Sequence, residues 1–175
     1  MLLTSKRPLV IIVAKATVAG ATIINLRFSM SKFMKMLNNI SRSQAIYRHS
    51  KISADDLQSC HYAFVLTICR EPGRSQEEIA KELCVNKSTV TRHLNYLEEA
   101  DYIIRTPLPN DKRQFSVFPS EKMQKVLPEI KAASRDWMTL ISEGIAQDEL
   151  AIFDSVLCRM EEKARELIEK EEDNK

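Results

Sequence analysis

The sequence predicts a mainly α-helical fold with one small β-hairpin. Only 3 of its 175 residues are glycine, so few positions favour the tight turns that a many-stranded protein needs. Apolar residues recur at helical spacing over most of the chain, and two short β-prone runs interrupt them at 102–106 and 114–118. A content of 44% hydrophobic and 29% charged residues excludes extensive disorder and disulfide-dense scaffolds.

Residues 1–29 have a mixed character and are treated apart from the rest. The stretch 8–26 is apolar, but Lys15 and several polar residues interrupt it, so it would make a poor membrane-spanning helix or signal peptide. Its lack of acidic residues is also typical of organellar transit peptides. Because Met30 opens an ordinary polar helix, we interpret 1–29 as an extension from an upstream start and 30–175 as one domain.

Charge is distributed unevenly along the chain. Residues 1–54 contain nine Lys or Arg and no acid, whereas residues 143–175 contain eleven acids against five bases. A basic arm is typical of contact with nucleic acid or a membrane surface, although it is also compatible with a solvated face. The four cysteines form no CxxC pair, which indicates free thiols in a reducing compartment. We therefore expect a cytoplasmic protein without membrane association.

Two helices are predicted before the centre of the chain. Apolar periodicity places the first at about 31–50. Ser53 is expected to cap the second, because Asp55 and Asp56 would then lie in its first turn, near the positive end of the helix dipole. Pro72–Gly73 ends that helix.

Two more helices follow the β-prone runs. Ser120 is expected to cap a long helix that Pro128 should kink, and Gly144 separates it from a last helix at about 147–170. The apolar faces of the first and of the last two helices exceed what a small central lobe can cover. We therefore predict a homodimer built by helices within 31–50 and 120–170.

The centre of the chain predicts a helix-turn-helix. Ser75 and Glu78 form a capping box, which opens a short helix at 76–83. After a tight turn at Cys84–Val85, Asn86 is placed to cap a further helix that runs to about Ala100. The outward positions of this second helix carry basic or hydrogen-bonding side chains and no acid. They are Lys87, Ser88, Thr89, Thr91, Arg92 and Asn95.

Those side chains are of the kind that reads base edges in the DNA major groove. The alternative is a solvated polar face at the start of a capped helix. The loop 107–113 between the β-prone runs adds Asp111, Lys112 and Arg113, where a guanidinium at a hairpin tip would reach a minor groove. Asp111 would hold that guanidinium through a charge-assisted hydrogen bond.

Three stretches, Ser75–Leu83, Asn86–Glu98 and Asn110–Arg113, resemble the MarR family of winged helix-turn-helix regulators. The resemblance covers about 31–170 and implies a DNA-binding lobe at about 53–118. It implies an obligate homodimer that binds double-stranded DNA at a pseudopalindromic operator and acts as a repressor. It also implies recognition-helix contacts at Ser88, Thr89, Thr91 and Arg92, and a wing motif at Asp111 and Arg113. The extension and the prolines 107 and 109 depart from the family pattern.

The resemblance also raises the question of a switch. Many members of the family release DNA when a small aromatic effector binds between their two lobes. Side chains placed to border that crevice are Tyr47, His61, Tyr62 and Phe64, with an ordinary core role as the alternative. One branch senses peroxides through a cysteine. Here Cys60 is the candidate, since an imidazolium at His61 would lower its thiol pKa, but that branch carries its cysteine in the first helix.

The other cysteines, Cys69, Cys84 and Cys158, are interpreted as small buried hydrophobes. The histidines, His49, His61 and His93, show no metal-ligand spacing, and Gly-rich phosphate loops are absent. We therefore predict no metal, no cofactor and no enzymatic activity. Two alternatives remain: a thiol-based redox-sensing regulator and a winged-helix module that binds another protein. The salt dependence of the binding affinity would distinguish protein binding from DNA binding.

Overall fold

The computed structural model describes residues 17–18, 21–22, 30–108 and 111–173. The chain divides into two compact units, Met1–Asn39 and Ile40–Lys175. In the first unit, strands β1 (Thr17–Val18) and β2 (Ala21–Thr22) pair antiparallel, a contact that the sequence did not predict. Helix α1 (Met30–His49) begins there at the expected place and ends in the second unit. No helix in the described ranges is long and apolar enough to cross a membrane.

The second unit is mainly helical with a small antiparallel sheet, as predicted. After α1 come a 3-10 turn (Ser59–His61) and helices α2 (Tyr62–Arg70), α3 (Gln76–Leu83), α4 (Lys87–Glu99), α5 (Glu121–Ile141) and α6 (Gln147–Asp173). The sheet contains β3 (Arg74–Ser75), β4 (Ile103–Leu108) and β5 (Asp111–Pro119), with β5 in the middle. Ser120 caps α5 by accepting from the Met123 amide, as predicted.

The sheet differs from the prediction in two respects. Strand β3 was missed, because it is only two residues long and exists through pairing with Val117 and Ser116 of β5. The loop predicted at 107–113 is also too long, since β4 continues to Leu108 and β5 begins at Asp111. The ladder changes register between Pro107 and Leu108, so the strands approach the tip irregularly.

The predicted start of the second helix at Ser53 is wrong. The Ser53 amide and hydroxyl both donate to Glu129 Oε2 of α5, at 2.9 and 3.0 Å, so they are not used in a helical cap. Asp56 accepts from the Tyr102 hydroxyl at 2.6 Å and from Lys122 Nζ at 2.5 Å. Because tertiary contacts hold both side chains, the segment stays irregular, and α2 begins only at Tyr62.

The core lies where α2, α3 and α4 meet the sheet and α5. Its fully buried side chains include Tyr62, Ile79, Leu94, Val117 and Ile130, one from each of these elements. Burial of such side chains contributes about 1.5–3 kcal/mol each. Side chains of both helices of the helix-turn-helix therefore form part of the core.

Asp56 provides a test of how the irregular segment is held. Hydrogen bonds from Lys122 and Tyr102 lower the pKa of the Asp56 carboxyl. Its contribution to stability is thus complete above the unfolded-state pKa of about 3.9 and is lost as the pH falls through the lower native value. We expect Asp56→Asn to reduce the free energy of unfolding by about 1 kcal/mol near pH 7, since the carboxylate is half-exposed.

Urea denaturation of both proteins near pH 7 and near pH 2 measures this effect. The difference in free energy of unfolding between the unmodified protein and Asp56→Asn should be smaller at the lower pH, where the native carboxylate becomes protonated. The same difference at both pH values would contradict a role for the charge of Asp56.

Candidate nucleic-acid interface

The helix-turn-helix has the capping interactions that the sequence predicts. Ser75 Oγ accepts from the Glu78 amide while Glu78 Oε2 accepts from the Ser75 amide at 2.7 Å, which completes the capping box of α3. Cys84 takes a left-handed conformation with φ 51° and ends α3. Asn86 Oδ1 then accepts from the Thr89 amide at 2.8 Å and starts α4. Two helices are thereby joined by a short, well-defined turn.

Side chains at the start of α3 and α4 fix the angle between these helices. Gln76 Nε2 donates to Thr91 Oγ1 at 2.5 Å, and the Thr91 hydroxyl donates to the Lys87 carbonyl at 2.9 Å. Lys87 Nζ pairs with Glu77 Oε1 at 2.7 Å. Thr91 therefore already makes two hydrogen bonds inside the protein, which favours a positioning role for this residue over base reading.

The outward face of α4 forms an open groove of about 570 Å³. It is lined by Ser88, Thr91, Arg92, Asn95, Tyr96 and Glu99. Ser88, Arg92 and Asn95 are exposed, whereas Thr89 is half-buried. In the described part of the chain, no hydrogen bond or ion pair engages the Arg92 guanidinium. Five N–H donors are therefore available at the middle of this helix face.

Arg105 of β4 is an interface residue that the sequence analysis missed. Its guanidinium donates to Asn95 Oδ1 at 2.5 Å and lies 3.3 Å from Glu98 Oε2. The hairpin is thus attached to α4 through the predicted site residue Asn95. An arginine in a mostly apolar strand was the available signal, but its partners were not apparent from the sequence.

The predicted wing residues Asp111, Lys112 and Arg113 begin β5. Their side chains lie outside the described residues, so their predicted roles stay predictions. Next to them, Gln114 and Phe115 line a second groove of about 250 Å³ together with Ser75, Gln76, Glu77 and Lys87. The start of β5 therefore adjoins the first turns of α3 and α4.

The four predicted effector contacts do not line one common pocket among the described residues, although His61 and Phe64 both contact the His93 ring. Tyr62 is fully buried, and Phe64 is buried beside the His93 ring at 5.0 Å. His61 stacks on Tyr96 with ring centroids 4.6 Å apart. Tyr47 instead contacts Trp137 at 5.4 Å. Core packing accounts for Tyr62 and Phe64, and an effector role of the four residues stays a prediction.

The surroundings of Cys60 do not favour a reactive thiolate. Its thiol is exposed and lies near His61, but desolvation raises the pKa of Cys60. Burial and the neighbouring His93 lower the pKa of His61 to about 4, so its imidazole is neutral at physiological pH. The imidazolium that was expected to activate the thiol is therefore not present.

The expected burial of the other cysteines is correct only in part. Cys69 is half-buried and packs against the core. Cys84 and Cys158 are exposed, because the turn after α3 and the uncovered face of α6 leave them at the surface.

Comparison with known proteins agrees with this geometry. Residues 59–115, from the 3-10 turn to β5, match the sequence model of the MarR family. The chain is 24% identical over 131 residues to the uncharacterized HTH-type transcriptional regulator YybA of Bacillus subtilis (strain 168), covering 75% of this chain and 87% of that protein. Residues 59–115 are therefore identified as a MarR-family domain.

Solved structures of MarR proteins share the fold of this chain. A MarR transcriptional regulator from Methanosarcina mazei Go1 is 26% identical with a TM-score of 0.68, covering 77% of this chain and 98% of the other. A putative MarR family regulator from Listeria monocytogenes, complexed with a 26mer DNA, is 19% identical with a TM-score of 0.70, covering 81% and 91%. The second likeness concerns the fold alone. The chain therefore has the winged-helix fold of the MarR transcriptional regulators.

Proposed function

We propose that this MarR-family regulator binds double-stranded DNA through α4 and represses transcription from a pseudopalindromic operator. The observation that carries the proposal is the exposed Arg92 guanidinium, which forms no hydrogen bond or ion pair with another described residue. An arginine in this position is suited to a bidentate contact with a guanine edge in the major groove. Ser88 and Thr89, one turn towards the helix N-terminus, supply hydroxyls on the same side.

The surroundings of α4 support this assignment. Gln76 and Arg105 hold the helix from two sides, so that its outward face is fixed relative to α3 and β4. Pre-organisation of this kind reduces the entropy lost on binding. The DNA complex of the Listeria protein shows that the fold is compatible with a bound duplex.

We propose that residues 30–175 form one domain that dimerises through its terminal helices. The end of α5 and much of α6 expose large apolar side chains: Met138, Leu140, Ile141, Ile152, Phe153, Val156, Leu157, Met160, Leu167 and Ile168. A patch of this extent is unusual on a monomeric protein and typical of an interface. Helix α1 also exposes Ile40 and Ile46. A second copy of the chain is the proposed partner, because the resemblance to the family implies a homodimer.

Selection from a pool of random duplexes tests the proposed function. The purified full-length chain should enrich sequences with two inverted half-sites whose centres lie about one helical turn, 34–36 Å, apart. A pool that shows no enrichment would contradict sequence-specific binding. Capture of one defined protein through the α4 face in that case would favour the protein-interaction alternative.

Arg113→Ala tests the wing. We expect weaker binding to every duplex, with a larger loss on A·T-rich flanks, because a guanidinium favours their narrow minor groove. The plot of log affinity against log salt should become shallower by about one unit for a lost phosphate contact. Fluorescence anisotropy on the selected duplex measures both quantities. An unchanged affinity and slope would show that the hairpin tip does not reach DNA.

We also propose that a small aromatic effector releases the operator, as the resemblance to the family implies. Phenolic carboxylates added to the protein–operator complex should then lower the anisotropy signal at concentrations that leave the fold intact. If no compound of this class releases the operator, the proposed effector is contradicted, whereas the proposed DNA binding is not affected.

A further inference from the structure

Three side chains with metal-ligating atoms converge where the 3-10 turn meets α4. Cys60 and His61 lie in the turn, and His93 lies in α4. One donor atom from each of them, the thiol sulfur or a ring nitrogen, lies within 4.8 Å of the other two. His93 lies 32 positions after His61, so sequence spacing gives no indication of this cluster.

The cluster combines one rigid ligand with two adjustable ones. His61 is only 2% exposed and stacks on Tyr96, with its plane 16° from that of the phenol ring. Cys60 is exposed and His93 is half-buried, so their side chains have room to rotate. Donor atoms around a tetrahedral Zn²⁺ ion are about 3.5 Å apart, as follows from bond lengths of about 2.0–2.3 Å. Binding therefore requires the Cys60 and His93 side chains to rotate, so that donor atoms now within 4.8 Å of one another reach this spacing.

The chemistry of His61 is unusual for a buried histidine. Its Nδ1 atom is buried and has no hydrogen-bond partner among the described residues. A buried polar atom without a partner is costly, and a bound ion is one of the few explanations for it.

We propose that Cys60, His61 and His93 bind one Zn²⁺ ion, with a water molecule as the fourth ligand. A thiolate and two imidazoles suit Zn²⁺ and disfavour Mg²⁺ and Ca²⁺, which require oxygen ligands. On binding, the Cys60 thiol loses its proton to solvent, and the sulfur bonds to the metal without any change in oxidation state.

The position of His93 gives the site a consequence for the operator, which rests on the function proposed above. His93 follows Arg92 directly in α4, so an ion bridging His93 to the 3-10 turn would fix the DNA-reading face. The exchange of a thiol proton for Zn²⁺ also adds positive charge beside Arg92. We expect Zn²⁺ to raise operator affinity about fivefold or more, in the range of ordinary coupling between two sites.

Cobalt titration of the full-length, reduced and chelator-treated protein tests the site without DNA. One equivalent of Co²⁺ per chain should produce visible d–d bands and a near-ultraviolet thiolate-to-Co²⁺ charge-transfer band. Added Zn²⁺ should displace the Co²⁺ ion and abolish both sets of bands. Cys60→Ser should abolish the charge-transfer band. His93→Ala should weaken metal affinity more than about tenfold, because even the loss of an outer-shell partner has that effect.

Matched controls are Cys158→Ser on α6 and His49→Ala on α1, which remove a thiol and an imidazole outside the cluster. Both should bind Co²⁺ like the unmodified protein. Circular dichroism confirms folding, and Zn²⁺ should raise the Tm of the unmodified protein but not of the two cluster variants.

Two results would overturn the site: a Co²⁺ spectrum without the charge-transfer band, or a metal affinity that Cys60→Ser and His93→Ala leave unchanged. Operator anisotropy with and without Zn²⁺ is measured separately. If the protein binds the metal and the metal does not change its DNA affinity, only the coupling is contradicted. If the protein binds the metal but does not bind DNA, only the function proposed above is contradicted.

Discussion

Leu157→Asp is expected to convert the proposed dimer into a monomer and to weaken operator binding at least about 100-fold. Phe153 and Leu157 lie four residues apart on α6 and are 52% and 37% exposed in the single chain. In a dimer that covers this face, the new carboxylate would be buried without a partner, which costs about 3–5 kcal/mol. A monomer would bind only one half-site and would lose the gain from two linked contacts, about 10²–10⁴ in affinity.

Sedimentation velocity at micromolar concentration measures the change of state, and anisotropy on the selected duplex measures the loss of binding. Ser155→Asp is the matched control, because it places the same charge on α6 about half a helical turn away. It should remain dimeric with nearly unchanged affinity. If the unmodified protein sediments as a well-folded monomer, the proposed dimer is contradicted.

Arg92→Ala should cost about 1–3 kcal/mol on the selected operator, a loss of about 5- to 150-fold. The loss on random duplex should be smaller, because only the charge contribution disappears there. Arg92→Lys separates charge from geometry, since lysine keeps the positive charge but lacks the planar fork of donors. We expect the lysine variant to bind random duplex normally and the operator poorly.

Anisotropy titrations of the three proteins on both duplexes, with folding checked by circular dichroism, measure these differences. Equal losses on operator and random DNA would assign Arg92 to a phosphate and would transfer specificity to Ser88 and Thr89. Recovery of operator affinity in the lysine variant would likewise contradict a bidentate contact.

Local signals were sufficient to predict the helix-turn-helix. The Ser75–Glu78 capping box and the Asn86 cap depend on residues three positions apart, so the sequence contains both partners of each hydrogen bond. The same reasoning failed at Ser53, which has the residue types of a cap but donates to Glu129, 76 positions away. Tertiary hydrogen bonds replaced the local ones there.

In the candidate site, too, local features could be predicted from the sequence and tertiary contacts could not. The polar face of α4 follows from helical periodicity, which needs no knowledge of the rest of the fold. Arg105 and His93 were missed as site residues because their roles depend on neighbours from other elements, Asn95 for the first and Cys60 and His61 for the second. Strand β3 was missed because it is stabilised by pairing with β5, about 40 residues further along the chain.

The salt dependence of binding to the selected operator, compared with a scrambled duplex of equal composition, tests the central claim most directly. If α4 and the wing bind DNA, log affinity should fall linearly with log salt concentration, with a slope of about −0.9 for each phosphate contact. The operator should remain at least about 10³-fold preferred over the scrambled duplex at physiological salt. An affinity that depends on neither salt nor sequence would contradict the account, because the α4 face would then bind something other than DNA.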